Sequence, residues 1–115
     1  MSLSNPISSV TVPAAASVAD ATILHTRGVN RGQIGVPTGS LVTQLGFHAQ
    51  TVPGGAFRVV HDGSGAVTLA VTAAKSYAIP TAALGGIALK IVANTFSGGT
   101  VTETNFEVNM SSQAT

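Results

Sequence analysis

Cysteine and tryptophan are both absent from this sequence of 115 residues. Without cysteine there is no disulfide framework and no thiolate metal site, so stability has to come from packing and assembly. Charge is scarce as well: 5 basic and 4 acidic residues amount to 8% of the chain, against roughly 25% in an average soluble domain. So few charged groups predict that part of the surface is covered by partners, because interface cores are the places where charge is depleted. A net charge of +1 supplies no long-range field to attract a polyanion, and nucleic-acid binding by phosphate neutralisation is not expected. The same balance of high hydrophobic content and low net charge is the opposite of a disordered chain.

Long apolar runs are missing too. The mean hydropathy is +0.42, yet Ala and Val are interleaved with Ser, Thr and Gly, and no stretch approaches the roughly 18 apolar residues of a membrane helix. No membrane association is expected. Met1-Ser-Leu-Ser-Asn-Pro6 has neither the basic segment nor the apolar core of a secretory signal, which leads to an expectation of synthesis in the cytoplasm.

What the chain does have is apolar alternation with a period of two, the mark of half-buried strands. Val10 and Val12 alternate with Ser9 and Thr11; Ala21–Thr26 and Gln33–Val36 read as short strands around a Gly28–Gly32 turn. Leu41, Leu45, Phe47 and Ala49 are expected on a core face, with Gln44, His48 and Gln50 opposite. Phe57, Val59 and His61 are expected inward in the next strand, and Val67, Leu69 and Val71 in the one after. Between them Asp62-Gly-Ser-Gly65 has the chemistry of a turn, since Asp bonds its own backbone and Gly accepts positive φ. Thr81–Leu84 fits one helical turn behind Pro80, stopped by Gly85-Gly86. Ile87, Leu89 and Ile91, and then Phe106, Val108 and Met110, give two further strands. About eight short strands with Gly and Pro punctuation predict an all-β fold, an antiparallel β-sandwich of the jelly-roll kind. The expected organisation is one sandwich domain over 1–115, with short flexible polar arms at about 1–8 and 111–115.

Catalytic signatures are sparse. No nucleophile elbow, HExxH, CxxC, phosphate-binding loop or dinucleotide fingerprint occurs, and the expectation is a protein without catalytic, cofactor or metal sites. His25, His48 and His61 are the only imidazoles; alternation puts His48 and His61 on opposite faces, whereas zinc needs three or four convergent donors. Asp62-Gly-Ser-Gly65 resembles a fragment of a calcium loop but lacks the carboxylates such a site needs, so a plain turn is the better reading. Glu103 and Glu107 share a strand face, a spacing compatible with paired glycosidase carboxylates and more commonly with a solvated or interface strand. Asn109-Met-Ser111 fits a glycosylation sequon and carries no weight without a secretory route. Arg27, Asn30 and Arg31 on a Gly-rich turn fit either a solvated loop or a grip on a neighbouring subunit's carboxylate. With Tyr77 and Phe96, which lie near loops, they are the candidate subunit or capsid contacts.

The order of several segments carries a resemblance. Val12-Pro-Ala-Ala-Ala-Ser17, Gly32-Gln-Ile-Gly-Val-Pro37, Leu45-Gly-Phe47, Asp62-Gly63, Lys75-Ser-Tyr-Ala-Ile-Pro80 and Leu89-Lys-Ile91 follow one another in a way that resembles small virion structural domains of tailed bacteriophages. Thr38-Gly-Ser40 stands where those domains have a Trp after the proline. The resemblance implies a capsid decoration or cement protein on the outer virion surface, with the major capsid protein and its own copies, as a homotrimer, for partners. From the composition and the missing motifs, no nucleic acid, membrane, small-molecule substrate or cofactor is expected as a partner. Two other classes are open to an all-β chain of this size. A receptor- or carbohydrate-binding module of a tail or head fibre usually displays exposed aromatics, and a jelly-roll enzyme of the cupin kind needs several histidines converging with a carboxylate on a metal.

Overall fold

The alternating residues pair into two antiparallel sheets laid face to face. A computed structural model describes residues 2–98 and 102–113. Its elements run β1 (Ser2–Pro13), a 3-10 helix (Ala15–Asp20), β2 (Leu24–His25), β3 (Arg31–Gly35), β4 (Val42–Gln50), β5 (Arg58–Val59), β6 (His61–Asp62), β7 (Gly65–Ala66), β8 (Thr68–Ala70), β9 (Ser76–Ala78), a second 3-10 helix (Thr81–Leu84), β10 (Ala88–Phe96) and β11 (Thr102–Gln113). Sheet A has the order β1-β11-β3-β9; sheet B has the order β2-β10-β4-β5, with β8 also on β4, and β6–β7 form a separate ribbon. Among β1–β4 and β8–β11, sheet A takes the first, eighth, third and sixth strands and sheet B the second, seventh, fourth and fifth. Every connection but the one from β4 to β8 therefore crosses between sheets. This is jelly-roll topology, and it meets the expectation of an all-β antiparallel sandwich.

β11 sits between β1 and β3, with Val108 opposite both Ile7 and Ile34. Its alternation turns Phe106, Val108 and Met110 into the interior, where they meet Leu45 and Phe47 of β4 and Leu89 and Ile91 of β10 in one apolar cluster. At about 3.3 Å per residue, the two 12-residue strands β1 and β11 account for most of the 43 Å long axis.

Three expectations are corrected by this arrangement. The polar ends expected as arms are strand: Ser2–Ile7 pairs with Val108–Gln113, because a ladder is made by backbone groups and tolerates Ser and Asn side chains on both strands. Met1, Ala114 and Thr115 lie outside the described residues. In β4 the buried residue is Val42 and not Leu41, which is 46% exposed. The ladder to β10 is irregular between Ala93 and Phe96, and the alternation slips by one residue there. Phe57, Val59 and His61 do not point into the core. β5 pairs Val59 with the outward-facing His48, so Val59 is exposed and Val60, whose N–H donates to the Phe47 carbonyl at 2.9 Å, packs against the core instead, while His61 is exposed and Phe57 lies half-buried under Lys90.

Other local expectations hold. Val67 and Val71 are buried with Leu69 packed against the cluster. The Asp62 turn forms as its chemistry requires, with the Ser64 N–H donating to Asp62 Oδ1 at 2.7 Å. Thr81–Leu84 is a helical turn with Pro80 as its N-cap residue. Pro6 and the bulge at Ser9, whose φ is 61°, fall on β1, an edge strand, where a missing donor and a local kink are tolerated.

One end of the sandwich is tied by a short hydrogen-bond relay. Thr26, 1% exposed, donates its hydroxyl to the Gly86 carbonyl at 2.7 Å and its N–H to the Ile87 carbonyl at 3.1 Å. The Ile87 N–H in turn donates to the Gln50 carbonyl at 2.8 Å. The ends of β2 and β4 and the start of β10 are thus held together, and Gly86 is required there because a Cβ would lie 2.6 Å from the Gln50 carbonyl oxygen. Thr26→Val removes the hydroxyl while keeping the shape and leaves the Gly86 carbonyl without its donor. The expected loss is about 1–3 kcal/mol of unfolding free energy in a urea titration, with Thr26→Ser retaining most of it.

Candidate functional site

The residues singled out in the sequence fall on two surfaces. The Thr26 relay brings the loop of residues 26–30, the loop of residues 51–57 and the Gly85-Gly86 segment to one tip of the sandwich. Arg27, Asn30 and Arg31 are all exposed on this tip. Gly28, with φ at 80°, makes the turn, and the Asn30 N–H is fixed to the Ser111 carbonyl at 3.1 Å while Arg31 opens β3 opposite Ser111. Val52, 57% exposed, stands on the neighbouring loop. Exposed guanidinium groups can grip carboxylates bidentately, and an exposed valine adds apolar surface at this end of the sandwich.

Tyr77 and Phe96 are not part of that tip. Tyr77 is half-buried on β9, and its hydroxyl accepts the Thr72 N–H at 2.8 Å, closing the loop that precedes β9. Phe96 ends β10 and packs partly against the core. Both aromatics are therefore used within the chain.

The second surface is the outer face of sheet A. Pro6 and Ser8 of β1, Glu107 and Asn109 of β11, Gln33 and Gly35 of β3 and Ser76 of β9 line a concavity of about 380 Å³. The Gln33 amide donates to the Ser76 hydroxyl at 2.9 Å, and Glu107 lies over Gly35, where a Cβ would come 3.4 Å from its Oε1. A second hollow shares Gly35, Ser76 and Glu107 and continues past Lys75 to Pro37 and Thr38; a third shares Pro37 and Thr38 and reaches Glu103 and Asn105. Sequence alternation placed Glu103 and Glu107 on one strand, but they serve different ends of this face. Glu103 accepts the Ser40 hydroxyl at 2.6 Å and the Leu41 N–H at 2.8 Å, so it holds the loop of residues 37–41. The groove was not legible in the sequence, since it is assembled from four strands that are distant in the chain.

The histidines do not converge: among the described residues no group of three or more His, Asp or Glu side chains is placed to hold a metal ion. His61 lies on β6, with Nδ1 3.1 Å from the Val59 carbonyl. His48 is on the outer face of sheet B, as alternation predicts, opposite Lys90 of β10 and Val59 of β5. The Lys90 ammonium in turn stands 4.7 Å over the Phe57 ring, a cation–π contact. Burial first, and the Lys90 charge second, hold the His48 imidazole below its ordinary value of about 6.5. The unfolded chain therefore takes up this proton more readily than the folded one, so stability falls as the pH drops through about 6.5 and stops falling from this source once folded His48 is protonated too. Urea titrations at about pH 7.5 and pH 5 should show a smaller decline for His48→Gln than for the parent chain.

No family model and no curated protein matches the sequence. Among solved structures, the chain is similar to the crystal structure of the SPBc2 prophage-derived protein YomS, with a TM-score of 0.51 over 97% of this chain and 96% of that one. The sequences are 10% identical, so what the two share is a fold.

Proposed function

We propose that this chain is a non-catalytic structural protein of a phage particle, a capsid decoration or cement protein that attaches to the major capsid protein on the outside of the shell and reinforces it. The observation that carries this reading is the tip at residues 26–31 and 51–55. On a chain with 8% charged residues, two of the five cations, Arg27 and Arg31, are exposed on one turn there, and Val52 on the loop after β4 is exposed as well. A contact of that kind suits carboxylates on a large, otherwise uncharged partner surface. The likeness in fold to a prophage-derived protein supports the same setting, as does the order of sequence segments. Copies placed around a symmetry axis of the shell favour a closed cyclic assembly, and a homotrimer is the form proposed. In this reading the protein is made in the host cytoplasm and ends on the virion surface. A second reading, a receptor- or carbohydrate-binding module, is favoured by the polar groove on sheet A.

Two measurements test the proposal. Particles that lack the protein should rupture at lower temperature or under milder osmotic shock than complete ones, and added purified protein should restore them, whereas an Arg27→Glu, Arg31→Glu double variant should not. Unchanged particle stability, or full restoration by the double variant, would overturn the role of this tip. Light scattering should give a trimer at micromolar protein concentration; a monomer would remove the homotrimer from the proposal.

A further inference from the structure

The groove on the outer face of sheet A has no part in the docking tip, and its chemistry differs from it. Its walls carry hydroxyls, amides and a carboxylate: Ser8, Gln33, Ser76, Glu107 and Asn109. Apolar surface lies among them as well, from the exposed ring of Pro6 at one edge and from the half-buried Ile7 beside it. Its floor is the centre of a sheet whose backbone groups are already paired within the ladders β1-β11-β3-β9, so a peptide strand laid across it would find few backbone partners. A ligand bringing its own dense set of donors and acceptors fits better. The size of the hollow, about 380 Å³, is within the range of small-molecule sites, and its continuation toward Thr38 and Asn105 gives room for an extended chain.

From this lining we infer that the groove binds a neutral oligosaccharide. The Glu107 carboxylate accepts hydrogen bonds from ring hydroxyls, the strong charge-assisted kind. Gln33 and Ser76, already joined at 2.9 Å, present donors and acceptors at fixed positions. Gly35 leaves the space beneath Glu107 open, since even a methyl group would reach contact distance of its carboxylate. The Pro6 ring offers a flat patch to the C–H face of a sugar. Glu107, and Glu103 farther along, outnumber the one cation of the continuation, Lys75, and this balance disfavours polyanionic chains. With no aromatic platform among the lining residues, affinity per site is weak, on the order of millimolar, and several copies on one particle would raise it through avidity. The inference does not depend on capsid attachment, and its test uses the isolated full chain.

The test is an amide chemical-shift titration of the labelled protein with the trisaccharides of glucose, galactose, mannose and N-acetylglucosamine, each to millimolar concentration. At least one should shift the amides of Gly35, Ser76 and Glu107 in a saturable way, and Glu107→Ala and Gln33→Ala should each weaken that binding about tenfold or more. Both positions are exposed on strands, and an unchanged spectrum away from the groove verifies the fold of each variant. Absence of groove shifts with all four sugars, shifts that survive Glu107→Ala, or tighter binding of heparin than of any neutral sugar would overturn the proposal. Loss of attachment to particles by Glu107→Ala would also overturn it, by marking the groove as a protein interface.

Discussion

The insertion of β11 between β1 and β3 is the constraint on which the rest of the structure depends. The last strand in the sequence pairs with the first and the third, and its inward residues Phe106, Val108 and Met110 complete the apolar layer that meets β4 and β10. Until β11 is in place, β1 has no partner in the ladder and sheet A is reduced to the β3–β9 pair. Both ends of the chain are thereby committed to the fold, and formation of the sandwich rests on contacts between residues roughly a hundred positions apart, the kind that is slow to form because loop closure precedes any gain.

That same insertion sets out the surfaces. With Phe106, Val108 and Met110 turned inward, Glu107 and Asn109 have to face outward, and β1 and β3 on either side supply Pro6, Ser8, Gln33 and Gly35 to make a polar groove. At the tip, the pairing of Ser111 with Arg31, together with the Thr26, Gly86, Ile87 and Gln50 relay, fixes where Arg27, Asn30 and Arg31 stand. A chain with so few charges thus distributes them unevenly: Arg27 and Arg31 at one end of the sandwich, Glu107 in the groove, and Glu103 as an internal clasp on residues Ser40 and Leu41.

How much of this could be read from the sequence depended on whether a local rule governed each element. Phe106, Val108 and Met110, Leu89 and Ile91, and Val67 and Val71 were legible because a regular ladder preserves alternation. The Asp62 turn and the Thr81–Leu84 helical turn were legible because they rest on side-chain and proline chemistry within a few residues. Alternation misled where the ladder was interrupted. Leu41 and Val42 exchanged roles at the β10 irregularity, and the pairing of Val59 with the outward-facing His48 turned Val60 inward in place of Val59. The ends looked like arms because their side chains are polar, although a strand next to β11 needs only backbone groups. The basic turn at Arg27 and Arg31 was visible as a motif, whereas its neighbour Val52 and the groove exist only through long-range pairing.

The proposed division of labour, with one tip for the shell and one groove for sugar, is most directly examined by hydrogen–deuterium exchange on the protein free and bound to its particle. Protection on binding should concentrate in residues 26–31 and 51–57, with the groove segments at residues 33–35 and 107–109 unchanged. Protection centred on the groove segments, or no change at the tip, would contradict it.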